Sequence, residues 1–375
     1  MSQTIMSLID FAFGEGGSID EPVAVLAVHA FSPSPHGHGG ERRSHQLDTL
    51  FKLIPCCISV SMDFPTRKHG YSRFISWFIK GLLYVASNPW RGSVLGIRNI
   101  IRLGCLYDCA QRIVKKYDPK RVLVETTALN LELLHIFNHL GCEVVAFPQN
   151  LDAFVPGRPL KKTFFRGIKY ELNALKSAVM VAAISHEETV FLRWCGLNAH
   201  WLRYKSVVSS LPIGSSVINS IPGRFYLTMG SAFNIPTKQG FDHLMERIAP
   251  TLDAVLVVVG RDIQVPSTGN FKNTMILGEV SEADLHALAK AALAILVFQP
   301  PTSGALTRIE DLRHYAGGGI IVNYDAWRSA FDFDNVFICA DPIVSGCLDR
   351  GKASEVIFEN SINAFLAVLG KDSQY

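Results

Sequence analysis

Short runs of apolar residues alternate with longer amphipathic stretches along most of this chain. Eleven of the runs, rich in β-branched residues, predict strands at 22–28, 56–62, 121–127, 142–148, 178–185, 224–230, 254–260, 274–280, 294–299, 319–323 and 336–340. Because these runs are apolar almost without interruption and helices separate them, they predict parallel sheets that are covered on both faces. The pattern is typical of an α/β protein with doubly wound sheets.

The chain divides into two series of such elements. A stretch rich in Ser, Gly and Pro without periodicity separates them, and 375 residues are more than one ordinary core needs. We therefore predict a loose tail at 1–20, a first Rossmann-like domain at 21–205, a linker at 206–222, a second such domain at 223–350 and a helical C-terminal segment at 351–375. Packing of that last helix against the first domain is left open.

Composition narrows the class of protein. The eight cysteines form no CxxC pair and no Cys/His ligand spacing, so we expect free thiols in a reducing compartment and no metal site. The first twenty residues lack the basic region of a secretory signal. The longest apolar stretch, 74–90, carries Lys80 near its middle, which disfavours a spanning helix. A cytoplasmic protein is expected, with peripheral membrane attachment as a possibility.

Positive charge is concentrated in one region. The net charge is only +3, yet residues 60–121 contain twelve Lys or Arg against three acids. Aromatic and aliphatic residues such as Trp77, Phe78 and Tyr84 lie between them, which suits an anionic membrane surface. The alternative is an ordinary core helix with a solvated basic face. No nucleic-acid recognition module is recognisable, so a nucleic acid is not an expected partner.

Two loops of the first domain follow predicted strands and carry candidate chemistry. The loop 29–47 contains Gly39 and Gly40 ahead of a helix, but it lacks GxGxxG directly after the strand, so a nicotinamide dinucleotide is not expected. It could bind an anion or be a plain long loop. Gln149 and Asn150 follow the strand 142–148 and could orient sugar hydroxyls, or close a turn with Asp152.

The second domain offers candidate phosphate contacts. Gly230 and Ser231 follow its first strand and permit close backbone approach, and Lys238 stands at the start of the next helix. A cation there is unfavourable unless an anion binds, although a plain surface lysine is the alternative. Arg261 ends the following strand and is a further candidate donor contact.

The segment 302–322, "TSGALTRIEDLRHYAGGGIIV", predicts a small-residue loop, a helix of about eleven residues, a glycine turn and a buried strand. The main-chain amides of Ser303, Gly304 and Ala305 would lie at the helix start and suit a pyrophosphate. Glu310 and Arg313 are three residues apart and face the same side. They could contact a ligand or form only a surface ion pair.

The second half of the chain resembles the donor domain of GT-B fold glycosyltransferases, particularly the retaining enzymes of family 4. The similar segments are "YLTMGSAFNIPTKQGFDHLMERIAPTLDAVLVVVGRD" and "ILGEVSEADLHALAKAALAILVFQPPTSGALTRIEDLRHYAGGGIIV". The first half resembles the family more weakly, through "HGGERRSHQL", "PQNLDAF" and "YELNALKSAVMVAAISHEE". The resemblance implies two Rossmann-like domains facing a cleft. It also implies sugar transfer from a nucleotide-sugar donor to a glycan or lipid-linked acceptor, with retention and without a metal or other cofactor.

The resemblance also assigns roles to residues. Lys238 matches the lysine that holds the diphosphate, and Ser303, Gly304 and Ala305 match the amides that bind phosphate. Lys238 and Glu310 are then the expected catalytic residues, with Gly39 and Gly40 on the acceptor side.

Three family positions differ in this chain. The family's Gly-Arg pair is Gly230-Ser231 here, its His-Asn pair is Gln149-Asn150, and Arg313 stands where a ribose-binding acid is usual, with Glu310 one turn earlier as its substitute. A catalytically silent GT-B module that partners an active transferase is therefore the alternative function.

Overall fold

The computed structural model describes residues 25–35, 39–54, 57–61, 71–87, 97–128, 130–155, 164–206, 217–264, 273–302, 305–327, 333 and 335–338. The predicted tail at 1–20, most of the predicted linker and the predicted C-terminal helix lie outside these residues. The chain forms two compact units, whose main division falls between Tyr204 and Lys205. All eleven predicted strands are present in the described part.

The first unit contains one parallel sheet of six strands in the order β2-β1-β3-β4-β5-β6. The strands are β1 (Val25–His29), β2 (Cys57–Ser61), β3 (Arg121–Thr126), β4 (Glu143–Pro148), β5 (Met180–Ala183) and β6 (Ala199–Trp201). The sequence pattern did not predict β6, because it has only three residues and two of them are partly exposed. Such a short strand leaves no apolar run to recognise.

Helices cover both faces of the first sheet. They are α1 (Gly39–Phe51), α2 (Tyr71–Ser87), α3 (Ile97–Tyr117), α4 (Leu133–His139), α5 (Phe164–Leu175) and α6 (His186–Trp194). Alternate residues of β1 belong to two separate cores: Leu26 and Val28 pack in one, and Val25 and Ala27 in the other. Strand β1 is therefore buried on both sides, as its continuous apolar sequence predicted.

The second unit repeats this architecture. Its parallel sheet has the order β12-β11-β10-β7-β8-β9. The strands are β7 (Phe225–Ser231), β8 (Val255–Arg261), β9 (Thr274–Gly278), β10 (Ile295–Val297), β11 (Ile320–Val322) and β12 (Val336–Ile338), and the helices are α7 (Ile235–His243), α8 (Glu282–Ala291) and α9 (Thr307–Arg313). The Ser281 hydroxyl caps α8 by accepting a hydrogen bond from the Asp284 amide at 3.1 Å. The prediction of two doubly wound Rossmann-like domains is confirmed.

The helix within the segment 302–322 is shorter than predicted. It has seven residues, and the predicted length of about eleven is wrong. After the helix, Gly317 and Gly318 pack against neighbouring backbone: a Cβ on Gly317 would lie 2.2 Å from the Lys290 carbonyl oxygen, and one on Gly318 1.7 Å from that of Leu293. The predicted glycine turn therefore follows the helix at a close tertiary contact.

Each sheet has one point where the strand order reverses. In the first unit it lies between β1 and β3, and in the second between β7 and β10. In open α/β sheets, ligands bind beyond the carboxyl ends of the strands at such points. Ligand contacts are therefore expected at these two edges.

Candidate functional site

A buried glutamate occupies the edge of the first sheet. Glu125, near the carboxyl end of β3, is fully buried. Its carboxylate accepts hydrogen bonds from the Ala30 amide at 3.1 Å and from the Ser44 hydroxyl at 2.7 Å, and it also accepts one from the side-chain amide of Gln149. His29 Nδ1 lies 3.4 Å away. Glu125 thus ties β1, α1 and β4 to β3.

Two of the predicted acceptor-side residues belong to this network. The Gln149 side-chain amide donates to the Gly40 carbonyl oxygen at 3.1 Å, and the Ser44 hydroxyl donates to the same oxygen at 3.1 Å. Gly39 begins α1 beside them, and Asn150 is partly exposed next to Gln149. The side-chain amide of Gln149 therefore holds the start of α1 in place.

The loop after β4 is held by carboxylates. Asp152 accepts from the Ala128 amide at 2.6 Å, and Glu171 accepts from the amides of Asp152 and Ala153 at 2.9 and 3.1 Å. Glu188 accepts a further amide of this loop at 2.8 Å. Burial, with the charges of Asp152 and Glu188 adding to it, raises the pKa of Glu171 to about 8. These contacts favour the structural alternative for Asp152.

The edge of the second sheet is built around a glycine. Gly230, near the end of β7, has φ +152°. A Cβ there would lie 2.7 Å from Thr237 Cγ2 and 2.8 Å from Arg308 Nη1, so only glycine fits. Thr237 and Gln299 are both buried, and the Gln299 side-chain amide donates to the Thr237 hydroxyl at 3.4 Å. Gly230 therefore faces polar groups from α7, from α9 and from the end of β10.

Arg308 is the residue of this edge that sequence analysis missed. Its guanidinium Nη1 donates to the Met229 carbonyl oxygen at 3.1 Å and lies 3.5 Å from the Thr237 hydroxyl. Arg308 lies in the first turn of α9, where a cation is electrostatically unfavourable. The same argument pointed to Lys238 in the sequence. It did not point to Arg308, because α9 was predicted to begin near residues 303–305, which would put Arg308 beyond its start. The guanidinium lies directly beside Gly230.

The other predicted donor-side residues of this edge are more exposed. Lys238 Nζ forms an ion pair with Asp242 at 2.6 Å, and its side chain is 53% exposed. The Ser231 hydroxyl accepts from the Phe233 amide at 3.3 Å. Arg261 is exposed, with Nε 3.6 Å from Glu279. Lys238 is thus engaged by its own helix, and a ligand would have to compete with Asp242.

Helix α9 carries the predicted pair of opposite charges. Arg313 Nε lies 2.6 Å from Glu310 Oε2, and Nη2 donates to Oε1 at 3.2 Å. The two residues share a side as predicted, but the Glu310 side chain is only 7% exposed, and the Arg313 guanidinium stacks over Phe333 at 4.4 Å. Ser303 and Gly304 lie outside the described residues, and Ala305 is partly buried just before α9.

The described part of the chain contains no group of three or more His, Cys, Asp or Glu side chains that could hold a metal ion. The cysteines in that part are free thiols: Cys57, Cys105, Cys109, Cys142 and Cys195. The described edges therefore offer amides, hydroxyls, guanidinium groups and an ammonium group to a ligand.

Solved structures similar to this chain identify its fold. Sucrose-phosphate synthase from Thermosynechococcus elongatus aligns with 92% of this chain and 90% of its own, at 12% identity and a TM-score of 0.58. The alpha,alpha-trehalose-phosphate synthase (UDP-forming) from Burkholderia vietnamiensis aligns over 81% and 85% of the two chains, at 10% identity and a TM-score of 0.51. The trehalose 6-phosphate synthase from Burkholderia multivorans covers the same shares at 11% identity and a TM-score of 0.50.

The sequence itself gives no comparable match. No protein-family model matches it, and no curated protein is similar to it. At identities of 8 to 12%, similarity of structure establishes the fold and leaves the activity to be argued from the site. The chain has the GT-B fold that its sequence predicted.

Proposed function

We propose that this protein is a cytoplasmic glycosyltransferase that moves a sugar from a nucleotide-sugar donor to a glycan or lipid-linked acceptor, with retention and without a metal ion. The observation that carries the proposal is the edge of the second sheet, where the Arg308 guanidinium lies beside Gly230 and the buried Thr237. The similar solved structures are named as sugar-phosphate synthases, one of them UDP-forming. This supports a nucleoside diphosphate as the ligand of this edge.

Transfer of the sugar leaves negative charge on the departing diphosphate, and groups fixed in advance stabilise such charge best. Arg308 suits that role because a guanidinium can bind phosphate oxygens in a bidentate way, and its bond to the Met229 carbonyl holds it in place. In this proposal Arg308 replaces the guanidinium of the family's Gly-Arg pair, which Ser231 cannot provide. The amides at the start of α7, next to Gly230, add to the stabilisation of the anion.

In the proposal, the other predicted donor-side residues bind the nucleotide sugar around Arg308. Lys238 supplies a second positive charge by exchanging Asp242 for phosphate, which costs little because exposed ion pairs contribute about 0 to 1 kcal/mol. The amides of Ser303, Gly304 and Ala305 bind phosphate as well. Glu310 contacts the ribose once Arg313 releases it.

The acceptor side and the direction of attack complete the proposed mechanism. The acceptor hydroxyl attacks the anomeric carbon on the face that the diphosphate leaves, so the configuration is retained without a covalent intermediate on the protein. In the proposal, the leaving diphosphate, held by Arg308 and Lys238, takes the proton of that hydroxyl. Gly39 and Gly40 allow the acceptor to approach the start of α1, and Asn150 is a contact for its hydroxyls.

A catalytically silent GT-B module is the second candidate, and one observation favours it. Lys238 and Glu310, the two expected catalytic residues, are both held by neighbours on their own helices, Asp242 and Arg313. A module that binds nucleotide sugars or glycans without turnover needs neither residue to be free. In that case a partner transferase would supply the chemistry.

Two measurements on the purified protein separate these functions. Calorimetry with UDP and with GDP tests donor recognition, and release of nucleoside diphosphate from a panel of nucleotide sugars, with and without membrane extract, tests turnover. The glycosyltransferase binds one of the two diphosphates and releases it from the matching donor. Binding without release under every condition indicates the silent module, and the absence of both contradicts the donor site.

A further inference from the structure

The exposed face of α2 is apolar. Four large aliphatic side chains on it remain open to solvent: Ile75 (60% exposed), Ile79 (51%), Leu82 (42%) and Leu83 (66%). Positions 75, 79, 82, 83 and 86 recur with helical spacing, so these residues form one stripe with Ala86. The outward side of a surface helix normally carries polar residues, and this stripe therefore indicates a binding surface.

The stripe cannot turn inward, because the opposite face of α2 is locked to α3. Trp77 and Tyr84 are buried there. A Cβ on Gly81 would lie 2.0 Å from the Ile100 carbonyl oxygen, and one on Gly104 would lie 1.6 Å from that of Trp77. The two helix backbones thus touch at both glycines, which fixes the rotation of α2 about its axis.

The helical hairpin that carries the stripe is strongly basic. Residues 71–117, which include α2 and α3, contain eight Lys or Arg and a single acid, Asp108. Asp108 is buried, and its carboxylate accepts hydrogen bonds from Lys80, from Arg112 and from the Trp77 indole N–H. The only acidic charge is therefore neutralised in the interior, whereas the side chains of Arg98, Arg112, Lys115 and Lys116 are exposed.

We propose that α2 is an interfacial helix that docks on an anionic lipid surface, with its apolar stripe at the acyl boundary and the exposed cations of α3 at the headgroups. Apolar area and basic charge on one helical hairpin match such a surface. A second copy of this chain fits poorly, because two hairpins of the same positive charge would face each other. In the described part of the chain no helix is long and apolar enough to cross a membrane, so α2 lies in the plane of the surface.

This inference is independent of the proposed function, and its experiment uses no nucleotide. Full-length protein is mixed with vesicles of phosphatidylcholine, with and without phosphatidylglycerol, and the bound fraction is measured by flotation at about 0.1 M and about 1 M salt. Binding is expected only to the vesicles that contain phosphatidylglycerol. It should weaken at high salt, because the Debye length falls from about 10 Å to about 3 Å.

Variants separate the stripe from other exposed apolar residues. The double variant Ile79→Ser with Leu83→Ser should lose at least tenfold in affinity for the anionic vesicles. The matched control is Val179→Ser with Val190→Ser, two exposed aliphatic positions elsewhere in the first unit, and it should bind as the wild type does. Arg98→Glu with Lys115→Glu should reduce binding mainly at low salt.

The proposal is wrong if the wild-type protein does not bind anionic vesicles. It is also wrong if the stripe variant binds them as well as the wild type does, or if the control variant loses as much affinity as the stripe variant. Thermal melting tests whether another part of the chain covers the stripe: the stripe variant should melt within a few degrees of the wild type, and a large fall would contradict exposure. A wild-type dimer that the stripe variant abolishes would assign the face to a second copy instead.

Discussion

The two sheet edges have similar topology and opposite chemistry. At the first, the buried carboxylate of Glu125 accepts hydrogen bonds from three neighbouring segments. At the second, Thr237 and the guanidinium of Arg308 pack so closely against Gly230 that a Cβ there would collide with both. An anionic ligand is repelled by a carboxylate and attracted by a guanidinium. The same position in a Rossmann-like sheet thus holds loops together in one unit, and in the proposed function it offers a phosphate site in the other.

The largest effect is expected from removing Glu125. Glu125→Ala removes the carboxylate that accepts from the Ala30 amide and from the side chains of Ser44 and Gln149, so we expect the free energy of unfolding in urea to fall by roughly 3 to 5 kcal/mol. Glu143→Ala, at an exposed ion pair with Arg121, serves as the control and should change it by less than about 1 kcal/mol. Equal effects would show that the buried network contributes no more than a surface pair.

Glu171 should make the first unit sensitive to pH. Burial raises its pKa from the ordinary value of 4.5 to about 8. Between these values the native state binds a proton that the unfolded state lacks, so stability should fall as pH rises, by at most about 1.4 kcal/mol for each pH unit. Glu171→Gln should flatten this part of the stability profile, and Glu187→Gln, at an exposed position of α6, should not. An unchanged slope in Glu171→Gln would assign the pH dependence to another group.

Gly230→Ala should damage the second edge specifically. The new methyl group would collide with Thr237 and Arg308, and φ +152° is unfavourable for alanine. We therefore expect the free energy of unfolding to fall by about 1 to 3 kcal/mol. We also expect a marked loss of affinity for nucleoside diphosphate. Gly223→Ala provides the control, because Gly223 also has positive φ but no atom within 4 Å of a Cβ. Wild-type nucleotide affinity in Gly230→Ala would separate this edge from the donor site.

The smallest effect is expected at Lys238. Because Lys238 is half exposed and paired with Asp242, Lys238→Ala should weaken nucleoside diphosphate binding only about two- to threefold, equivalent to roughly 0.5 kcal/mol. Calorimetry with the diphosphate that the wild type prefers measures this directly. A loss larger than that of an Arg308 variant would reverse the order of the two cations. An unchanged affinity would remove Lys238 from the phosphate site.

The sequence predicted the strands well because a strand buried on both faces requires a continuous apolar run. It failed at two short elements: β6 has only three residues, too few to recognise, and α9 has seven residues where about eleven were predicted. Glu125 could have been found, since a carboxylate inside the strand 121–127 must have hydrogen-bond donors if it is buried. The position of Arg308 could not have been predicted, because its place beside Gly230 depends on where α9 begins.

Nucleoside diphosphate binding by Arg308 variants is the most direct test of the central claim, that the second edge binds the donor through this guanidinium. Calorimetry should compare the wild type with Arg308→Ala, Arg308→Lys and Arg247→Ala, the last being an exposed arginine of the same unit. We expect Arg308→Ala to lose affinity roughly ten- to hundredfold, because a charge-assisted hydrogen bond contributes about 1.5 to 3 kcal/mol. Arg308→Lys should lose part of the affinity, and Arg247→Ala should lose none. Wild-type affinity in Arg308→Ala would contradict the account.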